Sequence, residues 1–574
     1  MTLDIPVLKS GAKKLDVNEA WKYNMTSAVL LADLVKTAIG PYGHYKILVD
    51  YLDNIKITSR GVTILRKLVE NTGPDHDEKY RPFQGNPCVK HIVEAGVSLY
   101  GEVGDGVITA ISFAGALLEQ AAELIHMKVH RNIIAAGYQL ALKEALNTLN
   151  AIAMPLTHQD PFLINALLKT TLSKHFVGVG SAGTLSNLLT EAYFTLLKNN
   201  GGDVSKLDFS KLLQIVVKAG NSTWEPSLIY GIIVDKQLKH SMLPRRVVNA
   251  RIALIDSHMS INKPKYFHEV RLSTPSSILA LKREEEAILA EMAEKLHRLG
   301  VTAVFCNKSI DDRLLYMLGR KNILAVRDVH RADFEMLEKA CSARIAHTVE
   351  ELTEKDLGFA GLVEERDIGA ETWVFVEECK SPKAVSILLR GGSYWFAEEV
   401  KELVKSALRV LHSSLLNGFI LPGGAAAETY VAGRLRSFAA QLRDKRQFVV
   451  EAFAKALERN VLTLLSTAGI DPLKTFADIR HAQSLHGANI GFDLIDKQVA
   501  EVVGRGIIDS LAVKEAAWKT AVETACSILR IDEDFLAGRR AWKDLPKISE
   551  KSMDISRRGL IGEPGSVPMY GEPY

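Results

Sequence analysis

Cysteine is scarce in this sequence. The five cysteines (Cys88, Cys306, Cys341, Cys379, Cys526) lie far apart and form no CxxC pair. That argues against a disulfide framework or a zinc site and fits a reducing cytosol. There is no run of roughly 18 or more apolar residues, which excludes a transmembrane helix on that criterion. The N-terminal stretch MTLDIPVLKSGAKKLDV has no continuous apolar core of the kind a secretory signal needs. Excess charge is also lacking: 71 Lys plus Arg against 68 Asp plus Glu leaves a net +3. This balance predicts binding to neither nucleic acid nor a membrane surface. GxxxxGK[ST] does not occur, so a P-loop nucleotidase is not supported. What is present is the balance of a folded globular protein, with 47% hydrophobic and 24% charged residues. A length of 574 residues suggests about four domains at roughly 150 residues each.

Along the chain, Ala28, Leu31, Leu34, Val35 and Ala38 recur at helical spacing. They predict a helix from about Ala20 to Ile39 that Gly40-Pro41-Tyr42-Gly43 stops. Lys46–Asp50 and Ile55–Thr58 read as the strands of a hairpin. Residues 72–87 hold five Gly or Pro and five charged residues, which reads as a surface insertion. Cys88 to about Ala153 is mostly helical, interrupted at 101–106. The centre changes character. Ile229–Val234, Ala250–Ile255, Thr302–Cys306 and Ile323–Val326 read as strands. Between them lie a charged helix, Leu281–Leu299, with Ile288, Met292 and Leu296 on one stripe, and a second helix, Asp311–Leu318. Strands alternating with helices indicate an α/β unit. From about Leu403 to Phe535 the pattern is helical again, so the two ends are expected to build one domain with the centre inserted. Gly559–Tyr574 holds seven Gly or Pro and reads as a flexible tail.

Several segments then fall into a familiar order. Thr37-Ala-Ile-Gly-Pro-Tyr-Gly43 resembles TLGPKG of the group II chaperonins, the thermosome and CCT (TCP-1/cpn60) family. Ile57–Leu65 resembles ITNDGATIL, and Glu102–Gly106 matches EVGDG. Gly361–Arg366, Ile387–Gly392, Leu421–Glu428 (family VPGGGAxE) and Ser527–Asp532 (MILRIDD) also match, in order, over about 20–535. Each motif alone is weak; their order and spacing carry the resemblance. It implies a multidomain α/β chaperonin fold with a mostly helical equatorial domain (1–155 and 413–574). It also implies a small α/β intermediate hinge domain (156–225 and 375–412) and an α/β apical domain (226–374). The stretch from His268 to Leu299 has the place of the family's built-in helical lid.

The resemblance implies ATP and Mg²⁺ as cofactors. Glycine turns let backbone N–H groups approach phosphates closely. Gly40, Pro41 and Gly43 would cover the phosphates, with Gly104, Gly106, Thr109 and Lys174 nearby. Asp105 would hold the metal through oxygen, as a hard cation requires. Gly423, Gly424, Gly491 and Asp509 would lie near the nucleoside, with Asp509 standing for the family's Glu. Other family positions have changed. The two carboxylates that orient the attacking water correspond here to Arg60 and Ser406, and neither can act as a carboxylate base near neutral pH. The two hydroxyls of GDGTT are Val107 and Ile108. The third Gly of GGGA is Ala425. The γ-phosphate-sensing lysine aligns with His175, one residue after Lys174. Arg60 either binds phosphates, pairs with Asp105 in place of the metal, or faces solvent through a local slip of register.

Loss of one general base costs about 10²–10⁴ in rate, so ATP turnover by this chain is expected to be weak or lost. The expected function is that of a double-ring chaperonin subunit that encloses unfolded or partly folded client proteins, with homologous subunits driving the cycle in a hetero-oligomeric ring. A homo-oligomeric ring is the alternative assembly, and the setting is cytoplasmic without nucleic acid or membrane. Two other readings stand beside it: a ring- or filament-forming scaffold without a folding cycle, and an active ATPase with substitute acids, for which Asp53 and Glu398 are the nearest in sequence. In the segment Asp311–Arg320, Leu314, Leu315 and Leu318 have core spacing, whereas Arg313, Tyr316 and Arg320 would face outward toward clients. His126 and His130, four apart on a presumed helix, are expected to be ordinary surface histidines for want of a third ligand.

Overall fold

The computed structural model describes residues 13–15, 17–49, 55–70, 86–173, 179–219, 226–261, 275–369, 371–391, 393–532 and 534–536. Most of the 72–87 insertion, Lys174 and His175, the start of the lid segment and the Gly559–Tyr574 tail lie outside them. Strand β1 (Lys13–Leu15) precedes α1 (Val17–Lys36), whose Ala28, Leu31 and Val35 are buried. A hairpin follows, β2 (Lys46–Val49) and β3 (Ile55–Thr58), with Ile47 opposite Ile57. Then come α2 (Gly61–Glu70), α3 (Pro87–Val103), α4 (Val107–His126) and α5 (Arg131–Ile152). Asn86 caps α3 by accepting from the N–H groups of Cys88 and Val89, and Pro87 occupies the first turn, where its missing N–H does no harm. His126 ends α4 while His130 caps α5, its Nδ1 accepting from the Asn132 N–H at 3.2 Å. The two histidines therefore do not share a helix.

The chain continues through β4 (Met154–Pro155), α6 (Pro161–Ser173), α7 (Val179–Asn199), α8 (Phe209–Leu212), β5 (Leu213–Ala219), β6 (Ser227–Ile229), β7 (Ile232–Val234) and β8 (Arg246–Ile255). Next are α9 (Pro275–Arg298), β9 (Ala303–Cys306), α10 (Asp312–Arg320), β10 (Leu324–Val326), α11 (Arg331–Cys341) and β11 (Ile345–Ala346). Strands β12 (Gly358–Ile368), β13 (Glu371–Glu377) and β14 (Val385–Gly391) lead into the long helix α12 (Tyr394–Asn417). The last part holds β15 (Phe419–Pro422), α13 (Ala426–Ala439), α14 (Arg446–Thr467), α15 (Pro472–His486), β16 (Ile490–Asp493), β17 (Gln498–Glu501), β18 (Ile508–Ser510), α16 (Leu511–Arg530) and β19 (Asp534–Leu536). Helix does not run unbroken from Leu403 to Phe535, as the sequence pattern suggested. Short strands interrupt it because β15 pairs with β4 and β18, and β16 with β17. These pairings depend on distant partners, which local periodicity does not report.

One mixed sheet, in the order β10-β9-β8-β12-β13-β7 with β11 beside β8, carries its own core with α9, α10 and α11. The buried stripe of α9 is Leu289, Ala293 and Leu296; Ile288 is exposed, so the expected stripe is rotated by about one residue. A smaller sheet, β5-β14-β6, packs with α6, α7 and α12. The two ends of the chain share a third core, built from α1 to α5, α13, α14 and α16.

At the centre of that third core lies α4. It is long and apolar enough to cross a membrane by length and hydropathy, which the count of unbroken apolar runs did not reveal. Burial accounts for this composition: Phe113, Leu117, Leu118 and Ala121 are fully enclosed. Phe113 meets Phe453 edge-on at 5.2 Å. Gly115 lets α1 approach so closely that a Cβ there would lie 2.3 Å from the Cβ of Ala32. Gly115→Val is therefore expected to force α1 and α4 apart and destabilise the chain by about 1–3 kcal/mol. A denaturation midpoint unchanged from wild type would contradict this packing.

Candidate functional site

Glycine places the walls of one cavity. Gly104 and Gly106 adopt φ of 83° and 88°, a left-handed conformation that suits glycine and sharply separates α3 from α4. Gly106 is the N-cap of α4 and brings no side chain of its own to the first N–H groups, an end of a helix that suits an anion. Asp105 sits in the turn between the two glycines and lines the cavity. Across from it the α1 turn brings in Gly40, with φ of 76°, and Pro41. A third wall comes from the β15–α13 turn, where Gly424 and Ala425 have φ of 59° and 62°. Ala425 is thus an alanine in the left-handed region, where a Cβ costs roughly 1–2 kcal/mol. The resulting cavity encloses about 530 Å³, within the usual range for a small-molecule site.

The cavity gathers Gly40, Pro41, Asp105, Gly106, Thr109, Gly424 and Asp509 from the sequence-derived set. Four of the expected binding glycines instead support its walls. Gly43 closes the α1 turn, its N–H bonded to the Gly40 carbonyl at 3.1 Å. Gly104 lies against α12, where a Cβ would come within 2.4 Å of the Cβ of Arg409. Gly423 bonds the Ile507 carbonyl, and Gly491 packs against the carbonyls of Gly423 and Gly424. Val107 is buried in the core, while Ile108 reaches the cavity.

Sequence reasoning missed the polar cluster on the cavity wall around Lys514. Lys514 of α16, only 9% exposed, donates from Nζ to Glu428 Oε1 at 2.6 Å and to Asp509 Oδ2 at 2.8 Å. Burial by itself would push this ammonium down; the carboxylates of Asp509 and Glu428 outweigh that and hold it well above the ordinary lysine range. The available signal was a lysine set between Val513 and Ala517 on the buried face of a helix. Arg505, at the cavity rim, pairs with Asp493 at 3.1 Å and Asp496 at 2.7 Å.

Arg60 and Ser406 do not line the cavity. They meet each other beside it. Arg60 is 5% exposed, so it does not face solvent, and it is directed onto α3 and α12 rather than toward the cavity. Its Nη2 donates to Tyr100 Oη at 2.9 Å and to Ser406 Oγ at 3.3 Å, and its Nη1 to Glu402 Oε2 at 3.4 Å.

On α10, Leu314, Leu315 and Leu318 are buried, whereas Arg313, Tyr316 and Arg320 are exposed. Tyr316 meets His240 edge-on at 5.9 Å, and Arg313 is held by Asp311 and Glu285.

The arrangement suits a phosphorylated ligand with a hard cation. Among the described residues no group of three His, Cys, Asp or Glu is placed to hold a metal. Asp105 would therefore supply one oxygen, and Mg²⁺ would take most of its remaining ligands from phosphate and water, as it commonly does.

A helix N-terminus, glycine turns and a carboxylate–lysine cluster thus line one cavity together. Residues 31–535 match the profile of the TCP-1/cpn60 chaperonin family, and the chain belongs to that family. It is 36% identical over 540 residues to thermosome subunit alpha of Archaeoglobus fulgidus, covering 94% of this chain and 95% of the relative. Thermosome subunit beta of Aeropyrum pernix is also 36% identical, over 92% and 94%. Thermosome subunit alpha of Saccharolobus solfataricus is 35% identical over the full length of both. The chain is a group II chaperonin subunit.

Replacing Lys514 with Met leaves two largely buried carboxylates, Glu428 and Asp509, without their shared cation. This is expected to cost on the order of 3–5 kcal/mol of stability and to weaken nucleotide binding at the same wall. Urea denaturation and titration with a fluorescent ATP analogue check both effects.

Proposed function

We propose that this subunit binds Mg-ATP in the cavity at the N-terminus of α4, takes part in the folding of enclosed client proteins, and hydrolyses its own nucleotide weakly or not at all. One observation carries the reading. The cavity retains its glycine turns, its helix N-terminus and Asp105, while the positions of the family's water-orienting acids, Arg60 and Ser406, are hydrogen-bonded to each other outside it. Binding and hydrolysis are thereby separated. The α4 N–H groups would meet phosphate oxygens, Asp105 the metal, and the Asp509 wall the nucleoside. No side chain at residues 60 or 406 remains to accept a proton from water.

On this reading the core shared by the chain ends is the equatorial domain, with boundaries near 1–155 and 413–574. The β5-β14-β6 sheet with α6, α7 and α12 is the intermediate domain, near 156–225 and 375–412. The large mixed sheet is the apical domain, near 226–374, with the exposed face of α10 toward clients. A ring of homologous subunits in the cytoplasm would supply the hydrolysis that this chain lacks.

Steady-state ATP hydrolysis by the purified chain is expected to equal that of Asp105→Ala, while the wild type still binds nucleotide. Turnover well above that control would overturn the weak-ATPase reading. Tyr316→Ala is expected to lower capture of an unfolded client with less than about 0.5 kcal/mol change in stability, the usual scale for a surface position. Unchanged capture would remove α10 from the client face.

A further inference from the structure

The side chains that replace the family's acids do more than leave chemistry undone. They join three separate segments. Arg60 stands at the β3–α2 turn, where its carbonyl accepts from the Ile64 N–H. Its guanidinium reaches Tyr100 on α3, and Ser406 and Glu402 on α12. Tyr100 Oη and Ser406 Oγ are themselves 3.0 Å apart and hydrogen-bonded. One turn earlier on α12, Glu399 accepts from Thr58 Oγ1 at 2.6 Å. The guanidinium carbons of Arg60 and Arg409 lie 5.6 and 5.1 Å from the centroid of the Tyr100 ring, a cation–π arrangement. Gly104 allows this close approach, since a Cβ there would also lie 3.0 Å from the Ser406 carbonyl oxygen.

Charge explains why the contact is attractive. Glu399 and Glu402 lie on the α12 face that meets the β3–α2 turn. Acidic side chains at 60 and 406 would add like charges to that face and favour separation. Arg60 reverses the sign at the centre of the cluster, and Ser406 accepts a hydrogen bond without adding charge. Burial would raise the Glu402 carboxyl, but Lys405 and Arg60 together hold it below its usual range, so it remains the anionic partner. The position of α12 makes this matter for the rest of the chain. It rises directly from β14 of the β5-β14-β6 sheet, and its Val410 lines the cavity. With α6, which also lines the cavity and packs in the core of that sheet, it joins the two.

We propose that Arg60, Tyr100, Glu402 and Ser406, with Thr58–Glu399, form a latch that holds α12 on the β3–α2 turn whether or not nucleotide is bound. The subunit then remains in one posture at this junction. The inference rests on the proposed function only in taking the cavity as a nucleotide site.

Hydrogen–deuterium exchange of the full chain, with and without Mg-ATP, tests it. In the wild type, amides of the first half of α12 and of the β3–α2 turn are expected to exchange within twofold in both states, while the α4 N-terminus becomes protected. Two variants keep side-chain volume: Glu402→Gln removes the charge of the ion pair, and Tyr100→Phe removes the hydroxyl that bonds Arg60 and Ser406. Each is expected to speed exchange in the first half of α12 at least fivefold without nucleotide. Arg60→Met is expected to speed it further if it folds. Wild-type exchange in α12 that shifts with nucleotide as much as in the variants would overturn the latch, and so would variants that exchange like wild type. Absence of protection at α4 would overturn nucleotide binding instead, leaving the nucleotide-free comparison to decide the latch.

Discussion

The junction of α3 and α4 is the constraint on which the site depends. Two residues with positive φ flank Asp105, and a side chain at either would oppose the turn. A Cβ at Gly104 would push α12 away, and one at Gly106 would crowd Val513 and Ala517 of α16. A single bend thus fixes three relations: the N-terminus of α4 at the cavity, α12 against α3, and α16 behind the turn. The energy that holds the bend comes from below, where α4 is buried among α1, α5, α14 and α16. An apolar helix in the core positions a polar helix end at the surface of the cavity.

Much of this was legible in the sequence, because the information was local. The apolar repeat of α1, the two strands at 46–58 and the break at 101–106 each arise from neighbouring residues. What stayed hidden depended on partners hundreds of residues away. Strand β15 is a four-residue segment between two helices, and only β4 and β18 make it a strand. The α9 stripe was misplaced because Ile288 and Leu289 are adjacent and both apolar, so periodicity alone does not decide which one the sheet covers. The same applies to the cavity. The family resemblance singled out its glycines but not whether each lines the cavity or supports the wall behind it.

Lys514 and Arg60 show two uses of buried cations. Lys514 has two carboxylates within 2.8 Å and lies on the cavity wall. Its desolvation is offset by paired charges, and it fixes Asp509 on the cavity wall. A buried pair of this kind gives modest net stability, but its loss is costly because the remaining charges stay buried. Arg60 has one longer ion pair, at 3.4 Å, and neutral partners in Tyr100 and Ser406. The planar guanidinium allows this, since its donors fan out in fixed directions and can serve several acceptors at once. A lysine at residue 60 would present a point charge without that spread.

The substitutions at residues 60 and 406 are best understood as a coupled pair. Arg60 with an aspartate at 406 would form a strong ion pair beside Glu402 and keep a carboxylate near the cavity. Ser406 with an aspartate at 60 would set that acid against Glu399 and Glu402, with Lys405 and Arg409 as the nearby cations. The combination present here hydrogen-bonds Arg60, Tyr100 and Ser406 to one another. On the proposed reading, weak hydrolysis and a held α12 would arise from the same side chains. An acid placed at residue 60 or 406 would replace a partner in the contact that holds the helix, so it would also alter the junction of α12 with the β3–α2 turn.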